Sequence, residues 1–178
     1  MIIRVAAVGD SITAGSPWDD DPAIGWPAAA AAADPRLRFT VRAAYGKRTD
    51  EIAAWLDEAA AGAEVLVVQG GINDLAQARP VADAAENLGA MTRRGRELGL
   101  RVVVANVLPW NNGWPGAEAP IRELNGLIAA LGVPVLPFHD TLEDPERPGR
   151  MREEWTVEGD HPSIDGYRRL GELAFRLP

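Results

Sequence analysis

The chain has 178 residues, 47% hydrophobic and 25% charged, which suits one globular domain with a sizeable core. It has no cysteine, so disulfides, thiolate metal sites and a cysteine nucleophile are excluded. A formal net charge of -8 without a basic stripe makes it a poor nucleic-acid binder. No apolar run approaches the ~20 residues of a membrane span. Strand-like sequence begins at residue 2 with no charged-then-apolar leader, so a cytoplasmic protein is expected unless a signal peptide was removed.

Residues 2–8 form an apolar run that predicts a buried strand, and Gly9-Asp10-Ser11 follows it at once. Residues 26–33 are alanine-rich, with Pro27 suited to a first helical turn. A second strand is expected over 38–43. Ile52, Leu56, Ala59 and Ala60 then mark one helix over 50–61. A third strand, 64–69, leads to Gly71-Ile72-Asn73-Asp74. Val81, Ala84, Leu88, Met91 and Leu98 mark a longer helix, followed by a strand at 101–107. Ile121, Leu124, Ile128 and Leu131 mark another helix, which Gly132 stops before a strand at 133–137. Ser163 is placed as the N-cap of a last helix running to about Phe175.

The alternation predicts a three-layer α/β/α fold around a parallel five-stranded sheet, one domain over residues 1–178. Its strands are short and rich in Val, Ile, Leu and Ala, as expected when both faces are covered. Long loops at 16–25, 108–119 and 138–159 follow strands and should open on the sheet's carboxyl edge.

A serine at a strand end can be presented as a nucleophile, but its hydroxyl needs an adjacent base. There are only two histidines, His139 and His161. Either one, taken alone, is more often a structural hydrogen-bonder. Pro162 holds His161 out of helical geometry in a turn-rich segment, from which it could project toward a site. An acid should orient the base. Asp160 is the direct neighbour of His161, and adjacent side chains usually diverge. Glu158, three residues back across a glycine, could curl under the imidazole. An oxyanion needs preorganised donors. The Asn73 amide and the Gly46 N–H are candidates, against plain turn roles for both.

These segments resemble the SGNH hydrolases, also called GDSL-type lipases and esterases. Gly9-Asp10-Ser11 resembles the family's first block and Gly46 its second-block glycine. Gly71-Ile72-Asn73-Asp74 matches the third block, G-x-N-D. Glu158-Gly159-Asp160-His161-Pro162 is similar to the D-x-x-H-P block. The blocks span nearly the whole chain in the family's order. The resemblance implies a flavodoxin-like sheet of strand order 2-1-3-4-5. It implies Ser11 as nucleophile and His161 as general base, then acid. The oxyanion donors would be the Ser11 N–H, the Gly46 N–H and the Asn73 side chain. The family's acid is usually Asp, whereas this chain has Glu158 there, so Glu158 and Asp160 both stand as the third member. Asp10 and Asp74 are expected to brace the loops rather than react.

The expected activity is a serine esterase acting on small carboxylic esters with short acyl groups, acetyl included. A lysophospholipase or thioesterase would share the machinery. From another class, a non-catalytic flavodoxin-like protein could hold an anion at the Ser11 loop. Trp110 and Trp114 could wall a substrate pocket, and Trp18, Trp26 and Trp155 also lie in or beside the long loops. Asp19-Asp20-Asp21 would disfavour an anionic substrate, and without spaced ligands it predicts no metal. No cofactor is expected, and the sequence leaves the oligomeric state open.

Overall fold

The computed structural model describes residues 1–16 and 24–178, so Trp18 and Asp19-Asp20-Asp21 lie outside the described residues. Five parallel strands form the sheet: β1 (Ile3–Gly9), β2 (Leu37–Ala43), β3 (Val65–Val68), β4 (Arg101–Ala105) and β5 (Val135–Leu136). Their order is β2-β1-β3-β4-β5, as the resemblance implies.

Successive side chains of a strand point to opposite faces, so a continuous apolar run feeds two cores at once. In β1, Val5 and Ala7 pack on one side with Trp26, Phe138, Tyr167 and Leu170. Ala6 and Val8 pack on the other with Ile52, Leu88, Met91 and Leu124. Each fully buried large apolar side chain contributes about 1.5–3 kcal/mol. Strand β2 departs from the expected two-sided cover. It is an edge strand, and Arg38 and Arg42 stand exposed along it, which discourages pairing with another chain.

The helices are α1 (Ser11–Ala14), α2 (Trp26–Ala33), α3 (Thr49–Ala53), α4 (Leu56–Ala59), α5 (Ile72–Ala76), α6 (Val81–Glu97), α7 (Glu118–Ala129), α8 (Phe138–Leu142) and α9 (Ile164–Arg169). The single helix expected over 50–61 is broken into α3 and α4 at Trp55, whose backbone leaves helical geometry while Arg42 lies 5.2 Å over its ring. Ile52, Leu56 and Ala59 stay buried on the same side, so the periodicity records the face and not backbone continuity. The last helix also ends early, giving way to a π turn at Leu170–Ala174. There Gly171 lets the chain lie directly on α2, since a Cβ would come 2.5 Å from the Trp26 carbonyl oxygen.

The expected loop 138–159 is mostly ordered structure. It holds α8, a hairpin of β6 (Glu143–Asp144) and β7 (Arg147–Met151), and a 3-10 turn at Glu153–Trp155. Strand β5 is cut to two residues between Pro134 and Pro137, which cannot donate to a ladder. Trp26 is fully buried against Phe39, Phe138 and Phe175 rather than in a pocket wall. Trp155 stacks under Arg169, 3.9 Å from the ring centroid. No helix among the described residues is long and apolar enough to cross a membrane.

Candidate active site

Strand β1 ends at Gly9, and Ser11 opens α1 with only 6% exposure. Asp10 is the N-cap, accepting the Ile12 N–H on Oδ1 at 2.9 Å. A Cβ on Gly9 would meet Gln69 Oε1 at 2.5 Å and Thr13 Oγ1 at 2.6 Å, so only glycine leaves room for them. Gln69 Oε1 accepts from the Asp10 N–H at 3.2 Å and from Thr13 Oγ1 at 2.7 Å. Trp26 Nε1 donates to Thr13 Oγ1 at 3.2 Å, linking the serine turn to the core. Complete burial raises the Asp10 carboxyl to about 6, despite the Ile12 and Gln69 bonds that oppose the shift.

His161 arrives from the far end of the chain on a turn before α9. Its carbonyl accepts from the Val157 N–H at 3.0 Å and from Thr156 Oγ1 at 2.8 Å. Gly159 takes a φ of 97°, a left-handed conformation that glycine accommodates. Glu158 folds back beneath the imidazole. Its Oε1 lies 2.9 Å from His161 Nδ1 and accepts the backbone N–H of His161 at 2.6 Å and of Asp160 at 3.1 Å. Partial burial pushes the Glu158 carboxyl up, but these bonds outweigh it and hold the group below its ordinary value. On the other side of the ring, His161 Nε2 lies 3.0 Å from Ser11 Oγ.

Asp160 turns away from the imidazole and accepts Trp110 Nε1 at 2.5 Å. That bond and one from the Asn111 N–H to the Gly159 carbonyl, at 3.0 Å, join the loop after β4 to the histidine turn. Tyr45 flanks the imidazole edge-on, with ring centroids 6.2 Å apart, and its hydroxyl donates to the Gly15 carbonyl at 2.6 Å.

Asn73 lies in the first turn of α5, and its Nδ2 donates to the Lys47 carbonyl at 3.1 Å. Gln77 Nε2 donates to the Gly46 carbonyl at 3.2 Å. Asp74 takes the N–H of Thr49 at 2.9 Å and its hydroxyl at 2.7 Å. Three side chains from α5 and its end thus fix the turn after β2. Gly46 stands there at a φ of 72°. Among the described residues, the N–H groups of Ser11 and Gly46 donate to nothing.

A pocket of about 140 Å³ opens beside Ser11. Ser11, Asn73, Asp160, His161 and Trp110 line it. Gly46 and Trp114 do not, although Trp114 packs edge-on against Trp110 with centroids 5.4 Å apart. His139 is also outside the lining. Its Nδ1 faces Asp140 at 3.4 Å and Glu143 at 3.8 Å on α8 and β6. These three make the only cluster among the described residues whose ligand atoms could share a metal ion. Glu143 Oε1 there already accepts the Gly149 N–H at 2.6 Å and Arg122 at 3.3 Å. Sequence reasoning missed Gln69 and Asn106, both pocket-lining; each is a polar residue ending an apolar strand at the carboxyl edge, a signal that could have found them.

A hydroxyl, an imidazole and a carboxylate hydrogen-bonded in series have the arrangement of a serine hydrolase. Sequence comparison agrees, since residues 7–169 match the GDSL-like Lipase/Acylhydrolase family. The chain belongs to that family, and is an acylhydrolase-family enzyme of the α/β type. Its fold is similar to that of a G-D-S-L-family protein from Desulfitobacterium hafniense DCB-2, at a TM-score of 0.83, 21% identity and 95% coverage of each chain. A lipolytic G-D-S-L family member from Veillonella parvula DSM 2008 gives a TM-score of 0.82 at 20% identity, over 95% of this chain and 94% of that one. The lipase/acylhydrolase from Enterococcus faecalis gives 0.75 at 21% identity, over 96% and 92%. No curated protein matches the sequence.

Proposed function

We propose that the protein is a serine esterase that hydrolyses small carboxylic esters through an acyl-enzyme on Ser11. The observation that carries this reading is the continuous relay from Ser11 Oγ to His161 Nε2 and from His161 Nδ1 to Glu158. His161 removes the Ser11 proton as Oγ attacks the ester carbonyl. The carbonyl electron pair moves onto oxygen, where the Ser11 N–H, the Gly46 N–H and the Asn73 amide act as donors. The pair returns, the C–O bond to the alcohol breaks, and His161 gives its proton to the departing oxygen. Water then attacks the acyl-enzyme with His161 again as base, and the acid leaves as Ser11 regains its proton.

Glu158 is the orienting acid in this reading. It accepts the imidazole N–H and so holds the tautomer that leaves Nε2 free to accept. Asp160 holds the wall of the pocket. Asp10 caps α1 and Asp74 braces the turn of Gly46, neither reacting. The pocket size and its apolar members Ile72, Val107, Leu108 and Pro109 favour short acyl chains, acetyl among them. Lysophospholipid and thioester substrates use the same machinery and are the alternatives within the family. An anion-binding protein would leave the relay without a task. The test is hydrolysis of a chromogenic acetate ester by wild type and by Ser11→Ala; equal rates would refute the esterase reading.

A further inference from the structure

The His161 imidazole is bonded at each of its nitrogens, Nδ1 to Glu158 Oε1 at 2.9 Å and Nε2 to Ser11 Oγ at 3.0 Å. The second bond lasts only while the serine is free. Once Oγ carries an acyl group it has no hydrogen to offer, and the ring keeps Glu158 alone. His161 must nonetheless stay in place, because it takes the proton of the water that attacks the acyl-enzyme. Its side chain is 22% exposed, so a swing toward solvent is open to it.

Tyr45 stands against this ring, with centroids 6.2 Å apart and planes at 61°. Among the described residues it is the one aromatic ring packed on His161. Packing of this kind opposes a swing of the imidazole whether or not Nε2 is bonded. The Tyr45 ring is itself tethered. Its hydroxyl donates to the Gly15 carbonyl at 2.6 Å, at the end of α1, and the Gly15 N–H donates to the Ser11 carbonyl at 3.1 Å. At its other end it is chained to Gly46, in the turn held by Asn73 and Gln77. Acylation of Oγ alters none of these bonds, so the ring has the same seat in the free enzyme and in the acyl-enzyme. Tyr45 is also 46% exposed, which leaves it a small part in the core.

We propose that Tyr45 is a positioning residue that keeps His161 beside Ser11 while the acyl group is attached, and so serves hydrolysis of the acyl-enzyme more than its formation. In that hydrolysis a water oxygen attacks the acyl carbon and its proton passes to His161 Nε2. The bond from that carbon to Ser11 Oγ then breaks, and the proton returns to Oγ. This inference rests on the esterase reading of the site.

The test follows one acetyl group through wild type, Tyr45→Phe and Tyr45→Ala. A chromogenic acetate ester has a good leaving group, so acylation is fast; kcat then reports loss of the acetyl group and kcat/KM its arrival. Acid quenching and peptide mass spectrometry give the rate at which acetyl leaves the Ser11 peptide once the ester is spent. Tyr45→Ala should slow that loss and lower kcat by at least about tenfold, the scale of a misplaced group, while kcat/KM changes by less than about threefold. Tyr45→Phe keeps the ring without its tether and should slow the loss by only about threefold. A merely structural role would lower kcat and kcat/KM together, through less folded enzyme, and leave the rate of acetyl loss unchanged.

Acetyl loss as fast in Tyr45→Ala as in wild type would overturn the inference. So would a fall in kcat/KM equal to or larger than that in kcat, or a Tyr45→Phe variant as slow as Tyr45→Ala. Tyr45→Ser takes the place of Tyr45→Ala, with the same expectations, if the latter does not fold; failure of both to fold would make Tyr45 a structural residue and overturn the inference too. In each of these cases acetyl on wild-type Ser11 spares the esterase reading. Its absence, or undiminished turnover by Ser11→Ala, refutes that reading and this inference with it.

Discussion

Ser11 stands at the end of a strand buried on both faces, 6% exposed and braced by the neutral chain Trp26, Thr13 and Gln69. His161 instead rides a turn whose imidazole and Glu158 side chain are 22% and 30% exposed, and which is held by hydrogen bonds rather than by core packing. The serine side is positioned by the sheet and core, so local changes there meet a stiff surround. The histidine side is positioned by hydrogen bonds within the turn and by those from Trp110 and Asn111, and one Glu158 oxygen takes three of them. The reacting side chains of the two halves meet at 3.0 Å, and the Tyr167 hydroxyl also donates to the Ser11 carbonyl at 3.5 Å. Position at the stiff half should therefore survive substitutions that disturb it at the other.

The largest effect is expected when the contact itself is cut. Ser11→Ala and His161→Ala should each lower kcat for a short ester by roughly 10⁴-fold or more, and the double variant should be scarcely worse than either. Additive losses would mean that the two side chains do not act as a unit. Next comes the histidine side's acid. Glu158→Gln should cost on the order of 10³-fold in kcat, by weakening the hold on the imidazole tautomer. Asp160→Asn keeps an acceptor for Trp110 and should cost less than about tenfold, the strength of one altered hydrogen bond. The reverse ranking, measured on the same ester, would move the acid's role to Asp160.

Trp110→Phe removes the indole donor together with one ring of the pocket wall, and leaves the Asp160 carboxylate facing the pocket unpaired. A loss of about tenfold in kcat/KM is expected, together with little change when Asp160→Asn is added to it. Independent effects in that cycle would show that the bond does not couple the pocket wall to the histidine turn.

The smallest effect tests the stiff half through stability. Asp10 has its carboxyl raised from 3.8 to about 6 in the folded protein. The folded state therefore holds the proton more tightly than the unfolded chain, and this contribution is full below the unfolded value. It is lost as pH rises through about 6. Between pH 5 and 8 the wild type should lose about 1 kcal/mol relative to Asp10→Asn, read by urea unfolding at both pH values. An equal pH response in the two proteins would contradict the buried, proton-holding Asp10.

The stiff half was also the more legible one. The apolar runs of β1, β3 and β4 announce a two-sided sheet because burial on both faces leaves no polar alternation to confuse them. Ser11 and Asn73 follow those runs, so their place at one sheet edge could be read from the sequence. The histidine side was legible only as a set of residue types. Whether Glu158 or Asp160 lies under the imidazole depends on the backbone of a six-residue turn, which composition does not specify. The hairpin is not legible in the sequence, because β6 has two residues and β7, Arg147–Met151, shows no apolar alternation.

The central claim, a covalent acyl-enzyme on Ser11, is tested most directly by acid-quenching the protein during turnover of a chromogenic acetate ester and locating the acyl group by peptide mass spectrometry. The account predicts an acetyl group on the peptide that carries Ser11 in the wild type and none there in Ser11→Ala. An acetyl group on another residue that accounts for turnover, or undiminished turnover by Ser11→Ala, would contradict it.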